Sequence, residues 1–223
     1  MDQHPYHSYL FFHVANAYYQ QPAEARTKQK QAFRKLLESQ KNTQITPYST
    51  LGFKPNTTFL LWVQTSDPAH MQTLMRDTLG TGFGQWLTLT YSYFGIIRAS
   101  TYSGRTGKPD QEIRQYSDRK PYLVLYPFTK TADWHLLDFE NRKSIMGQHI
   151  KTGVAHPDIR QCLLYSYGVD DYEFIVSYET QTLEEFQDLI MEMRGTIGRK
   201  YTLSDTPMFT CLHKPLTEHM EWL

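Results

Sequence analysis

The sequence predicts an α+β chain made of two similar halves, and three observations carry that prediction. The stretch FLLWVQTSDPAHMQTLMRDTLGT from Phe59 aligns without gaps on FIVSYETQTLEEFQDLIMEMRGT from Phe174, 115 residues later, with six identities in 23 positions. Each copy opens on a β-rich apolar run, breaks at polar residues, then shows apolar residues at helical spacing, as in Phe186, Leu189, Ile190 and Met193. Each closes on a glycine, Gly80 or Gly195, where a helix C-cap belongs, and a fixed period of this kind marks repeated architecture.

Element by element, the first half shows a helix carrying Arg34-Lys35, a turn at Gly52, the strand from Phe59 and the helix ending at Gly80. In the second half the predicted strand Tyr122–Tyr126 is apolar and is followed by a turn proline, Pro127. A helix over Phe139–His149 carries the matching Arg142-Lys143 pair, and a strand over Ile159–Tyr167 leads to the turn glycine Gly168. A strand over Tyr172–Tyr178, a helix over Leu183–Met193 and a strand from Tyr201 to Cys211 complete the half. Each half therefore reads β-α-β-β-α-β, the split motif of a ferredoxin-like unit. Tandem units of this kind can pack the free faces of their sheets together as a dimeric α+β barrel within one chain. The link TYSGRTGKPDQEIRQYSDRK, rich in Gly and charge, separates an N-terminal half assigned to residues 1–105 from a C-terminal half assigned to 106–223.

Composition narrows the partners. Lys plus Arg and Asp plus Glu are 23 each, and no run of like charge gives the footprint of a nucleic-acid or membrane-surface protein. No stretch approaches the apolar length of a membrane span. MDQHPYHSYLFFHVANAYY lacks the basic leader of a secretory signal, so a cytoplasmic protein is expected. The two cysteines, Cys162 and Cys211, lie in strand-like segments as reduced, packed thiols would. The aromatic load, 16 Tyr, 12 Phe and 4 Trp, suits a large flat pocket or a buried subunit interface.

Chemistry gathers in the second half. Arg142, Met146 and His149 share one face of a helix, because positions three and four apart stack. Periodicity alone makes His149 a capping residue at a helix C-terminus. With no second His or carboxylate one turn away, a tetrahedral zinc site has little support, whereas a single imidazole suits haem, whose porphyrin supplies four donors. Tyr126 and Lys130 are either a strand-end tyrosine and a surface lysine or a phenol and an ammonium reaching one site. Gln161 faces either solvent or the interior.

At YPFTKTADWHLLDFENRKSIMGQH and YSYGVDDYEFIVSYET the sequence resembles the chlorite dismutase superfamily, and within it the coproheme decarboxylase branch. The resemblance implies a tandem ferredoxin-like barrel, assembly as a homopentamer and a porphyrin in the C-terminal half. It makes His149 the proximal iron ligand, Tyr126 a redox-active tyrosine, Lys130 its companion, and Trp134 the tryptophan beside the haem. Arg114 and Arg194 correspond to carboxylate contacts. Seven positions before the glycine of GVDD, chlorite dismutases carry an arginine that retains the oxyanion; here the residue is Gln161, as in coproheme decarboxylases. A neutral amide can hydrogen-bond peroxide but has no charge to hold an anionic chlorine oxide. Gly198 stands where chlorite-degrading enzymes place a glutamate that hydrogen-bonds the proximal imidazole. The pattern is departed from at His135, where Tyr or Trp is usual, in a short loop from Tyr126 to Trp134, and in a His149 to Gln161 spacing one residue short.

The implied activity is oxidative decarboxylation of iron coproporphyrin III (coproheme) to haem b with hydrogen peroxide, the substrate serving as its own redox cofactor. The alternatives are a chlorite dismutase-like haem peroxidase and a non-catalytic haem or coproheme carrier or sensor.

Overall fold

The computed structural model describes residues 4–102 and 111–223. In the first half β1 (Tyr6–Val14), α1 (Ala23–Glu38), β2 (Thr43–Ser49), β3 (Phe59–Thr65), α2 (Pro68–Leu79) and β4 (Leu87–Ile96) follow in order. β1 runs antiparallel to both β3 and β4, with Tyr9 opposite Trp62 on one side and Tyr93 on the other, and β2 lies outside β3. The resulting order, β4-β1-β3-β2, is that of a ferredoxin-like sheet.

The second half repeats it with β5 (Tyr122–Lys130), α3 (Ala132–Leu136), α4 (Phe139–Ala155), β6 (Arg160–Tyr165), β7 (Phe174–Thr180), α5 (Leu183–Arg194) and β8 (Thr202–Ser204). β7 pairs antiparallel with β6 and β5, and β5 with β8, giving the equivalent order β6-β7-β5-β8. β9 (Phe209–His213) and α6 (Leu216–Trp222) close the chain. Two compact units result: residues up to Ile96 together with Cys211–Leu223, and Ile97–Thr210. The C-terminal tail thus belongs to the first unit: Leu212 and His213 pair with Ser49 and Tyr48, and α6 packs on α1. The boundary expected after residue 105 lies outside the described residues.

The identities of the repeat have a local chemical meaning. Thr65 and Thr180 each donate a hydroxyl hydrogen bond to the backbone carbonyl of the residue that caps the next helix, Asp67 or Thr182. Those N-caps accept in turn from Ala69 N at 2.9 Å and Glu185 N at 3.3 Å, satisfying amides that a helix start leaves without partners. At the other end Gly80 and Gly195 are the C-caps, and the Thr81 and Thr196 hydroxyls return to Thr78 O and Met193 O, both at 2.7 Å. Gly52 and Gly168 both adopt positive φ, +80° and +71°, which a residue with a Cβ rarely tolerates.

The first half is solid. Phe12, Tyr18, Phe33, Phe59 and Phe83 are fully buried in one cluster with aliphatic residues of β1, β3, α1 and α2. Phe33 and Phe83 approach to 5.1 Å between ring centroids, and burial of rings this size dominates core energetics.

Several expected boundaries move. β5 continues through Pro127 to Lys130, with a bulge between Thr129 and Lys130, so the proline lies inside the strand rather than at a turn. α4 runs on past His149 and through Gly153 to Ala155. The closing strand divides into a 3₁₀ turn over Ile197–Tyr201, β8 and β9, with a cis peptide at Thr206-Pro207 between the strands. Cys162 and Cys211 are buried, and neither is in a disulfide.

Candidate active site

The second unit encloses a cavity of about 850 Å³ between α4, α5 and the sheet, within the range of about 300–1,000 Å³ typical of ligand pockets. α4 makes one wall. Asp138 caps its start by accepting from Asn141 N at 2.8 Å, and the Gln111 side chain donates to Gly153 O at 3.1 Å and His156 O at 2.7 Å at its end. With both ends held, the helix turns Arg142, Met146, His149 and Gly153 to the cavity. His149 lies inside the helix, and the C-cap is His156, so the capping role that periodicity suggested for His149 does not apply.

Burial first, and then the nearby Lys130 charge, together lower the His149 pKa to about 4. The imidazole is neutral at ordinary pH. No described residue hydrogen-bonds its ring, and among the described residues no three His, Cys, Asp or Glu side chains cluster as metal ligands. At Gly198, also in the cavity wall, there is no side chain to engage the imidazole.

The sheet makes the facing wall. Tyr126 pairs with Val176 across β5 and β7, and Gln161 with Tyr178 across β6 and β7, so the period of two turns all four side chains to one face. Gln161 therefore faces the cavity, not solvent. Tyr126 is only 9% exposed, its ring 6.1 Å from that of Tyr178. Burial, then the neighbouring Tyr178 with which it shares a hydrogen bond, push the Tyr126 phenol well above its ordinary pKa.

Lys130 sits with its ammonium 4.8 Å from the Trp134 ring centroid. Burial lowers its pKa; Glu173 opposes the shift and Arg199 adds to it. Glu173 is a hub: one carboxylate oxygen accepts the Lys130 backbone N–H at 2.7 Å, the other lies 2.8 Å from His135 Nε2. His135 thus combines a contact to the Glu173 carboxylate with an edge-on packing of its ring against Tyr167, 6.1 Å between centroids.

His149, Tyr126, Lys130, Gln161, Trp134 and Arg194 all line this one cavity. Arg194 shares Asp205 with Arg199, at 3.1 and 2.8 Å. Arg114 is not among the lining residues; its Nε lies 2.9 Å from the Glu112 carboxylate, two residues away. Sequence reasoning missed Glu173, Tyr178, Gln111 and Arg98 as cavity or support residues. Only Tyr178 left a signal, since it ends the strand expected to pair with the one carrying Gln161.

Residues 26–214 match the chlorite dismutase family. The chain is 24% identical over 167 residues to the coproheme decarboxylase of Mycolicibacterium smegmatis, covering 73% of this chain and 70% of that protein. It is 29% identical over 160 residues to the coproheme decarboxylase of Staphylococcus carnosus, covering 66% and 64%. To the chlorite dismutase of Ideonella dechloratans the identity is 28% over 160 residues, covering 69% and 56%. The chain thus spans less than two thirds of the length of the last two relatives. In structure it superposes on the chlorite dismutase from Candidatus Nitrospira defluvii in complex with imidazole with a TM-score of 0.90 at 22% identity, over 99% of this chain and 95% of that one. The family match runs through both repeats and every lining residue of the cavity wall on α4, so the chain belongs to the chlorite dismutase family.

Proposed function

We propose that the protein is a coproheme decarboxylase, which oxidises two propionates of iron coproporphyrin III to vinyl groups with hydrogen peroxide and yields haem b. The observation that carries this reading is that Tyr126, Lys130 and an uncharged Gln161 line the same cavity as His149. The residues fit an iron porphyrin: the imidazole is neutral and unengaged, and Phe128, Met146, Leu163, Val176 and Met193 offer apolar wall to a flat macrocycle.

When bound, the iron porphyrin supplies redox chemistry and peroxide supplies oxidising equivalents. Each propionate loses carbon dioxide, one proton and two electrons as it becomes a vinyl, and each peroxide takes up two electrons and two protons to give water. His149 would hold the iron through its neutral ring. Gln161 offers an amide hydrogen bond to peroxide without a charge that would retain an oxyanion. Tyr126 would pass its phenolic hydrogen, as an electron and a proton, to the oxidant that peroxide supplies and regain a hydrogen atom from the propionate β-carbon; Tyr178 holds the phenol in place. Lys130, partly desolvated beside Trp134, neutralises the departing carboxylate or moves a proton. Trp134 and Arg194, both in the cavity wall, would border the porphyrin. The family resemblance extends the proposal to a homopentamer working in the cytoplasm.

The test mixes purified protein with iron coproporphyrin III, titrates peroxide and follows porphyrin mass. Two successive losses of carbon dioxide, abolished by Tyr126→Phe with porphyrin binding retained, are expected. Binding with no change in mass would make the protein a carrier, and oxygen release from chlorite would make it a chlorite dismutase-like peroxidase.

A further inference from the structure

We propose that Tyr178 is a positioning residue for Tyr126: it accepts the phenolic hydrogen bond and relays the proton that Tyr126 gives up on oxidation. The proposal rests on the reading of the cavity as a coproheme site.

The sheet sets three side chains in a row. In the order β6-β7-β5, Tyr178 stands on the middle strand, opposite Gln161 of β6 on one side and Val124 of β5 on the other. Tyr126 is two residues along β5 from Val124, on the same face, and so is a diagonal neighbour of Tyr178. The two rings lie 6.1 Å apart between centroids and 28° from parallel. Gln161, Tyr178 and Tyr126 all line the cavity, yet both phenols are buried, Tyr178 at 4% exposure. Val124, Ile159, Val176, Leu189 and Phe186 pack around them, and none of these can take a proton.

A phenol oxidised without losing its proton becomes a cation, and an apolar setting penalises charge. The proton therefore leaves with the electron, and it needs an acceptor within hydrogen-bond reach. A tyrosine hydroxyl can accept and donate at once. Burial raises the pKa of both phenols; their shared hydrogen bond adds to the rise at Tyr126 and offsets it at Tyr178, as when Tyr126 donates. Asp205, the carboxylate that also acts on Tyr126, is bonded to Arg194 and Arg199 at 3.1 and 2.8 Å.

The step balances. Tyr126 loses one electron to the oxidant that peroxide supplies and its phenolic proton to the Tyr178 oxygen. Tyr178 releases its own proton to the same oxidant, on the side where Gln161 lies. Tyr126 is left as a neutral radical and Tyr178 as a neutral phenol, while the oxidant has gained one electron and one proton.

The test loads the full chain and its Tyr178→Phe, Asp205→Asn and Tyr126→Phe variants with iron coproporphyrin III, mixes each with peroxide and freezes samples at intervals for high-field electron paramagnetic resonance. The parent should form a tyrosyl radical, absent from Tyr126→Phe, whose largest g value is lowered by a hydrogen bond. In Tyr178→Phe that g value should rise and the radical should form at least about tenfold more slowly, the scale of one lost hydrogen bond. There kcat and kcat/KM for release of carbon dioxide should fall together. Affinity for zinc coproporphyrin III, whose metal is not redox-active, should match the parent, since the ring remains to pack on Tyr126 and Phe186. Asp205→Asn should keep the parent's g value. An unchanged g value and radical rate in Tyr178→Phe would sink the proposal, as would the same two changes appearing in Asp205→Asn instead. Slower turnover with weaker zinc-porphyrin binding and an unchanged g value would make Tyr178 a wall of the pocket only. A parent that forms the radical but releases no carbon dioxide overturns the decarboxylase reading alone; a parent that forms no tyrosyl radical overturns both.

Discussion

The two halves share strand order, cap chemistry and turn glycines, yet one is filled and the other hollow. α1 buries Phe33 and Leu37 under its sheet; α4, at the matching place, buries no residue completely. The arginine of the first Arg-Lys pair, Arg34, lies on the surface bonded to Glu38 at 2.7 Å, whereas Arg142 of the second faces the cavity. Among the described residues, the apolar cluster that includes Val124, Tyr126, Val176, Tyr178 and Leu189 in the second half is smaller than the one in the first. The difference shows what this unit can give up. Local capping and ladder bonds define the frame, so the layer between helix and sheet can be exchanged for a ligand cavity without changing topology.

If that is right, substitutions should act differently in the two halves. The largest loss is expected in the filled one: Phe33→Ala should destabilise the protein by about 3–5 kcal/mol in urea unfolding, because a fully buried ring leaves a void that its neighbours cannot close. His149→Ala comes next and should separate binding from folding. Stability without ligand should change by less than about 1 kcal/mol, since the ring has no hydrogen-bond partner, while iron-porphyrin affinity falls by more than about 100-fold, beyond the range for loss of a supporting contact. Because the ligating form is neutral and the folded pKa is about 4, affinity should stay flat from pH 8 to about 5 and drop tenfold per unit only below about 4.

A third effect belongs to the filled half. His219 of α6 is 1% exposed against Phe59, and burial lowers its pKa from 6.5 to about 4. The unfolded chain takes up the proton before the folded one does. This contribution to stability is therefore fully present above about pH 6.5 and lost as the pH falls to about 4, a difference of roughly 3 kcal/mol at most. His219→Leu should flatten that acid limb in thermal melts, and an unchanged limb would assign it to other groups. The smallest effect is expected at the cavity wall, where Met146→Ala should cost under about 1 kcal/mol of ligand-free stability, since the side chain already borders empty space.

The frame was legible in the sequence because its signals are local. Thr65, Asp67 and Gly80, with their second-half counterparts, act on groups a few residues away, and a repeat spaced by 115 residues made them visible twice. The length of α4 was not legible: the predicted helix stops at His149, short of Gly153, but Gly153 meets only the Met193 side chain at 3.5 Å and the helix runs through it to Ala155. Arg114 reads as a carboxylate contact until its own neighbour Glu112 is seen to hold it. Glu173 could not be found from sequence, because its link to Lys130 and His135 depends on β5 and β7 aligning, a tertiary fact. Nor could the hollow be foreseen, since the stripe of Arg142, Met146 and His149 has the same spacing whether it packs or lines a space.

Gln111 and Glu112 hold together parts of the site that lie far apart in the chain. Gln111 grips the end of the helix bearing His149, and Glu112 bridges to Gln161 on β6. Two consecutive residues thus work as a caliper whose jaws rest on opposite walls. A one-residue slip at that point would alter the clearance above and below a bound disc together, a coupling that no change confined to either wall could reproduce.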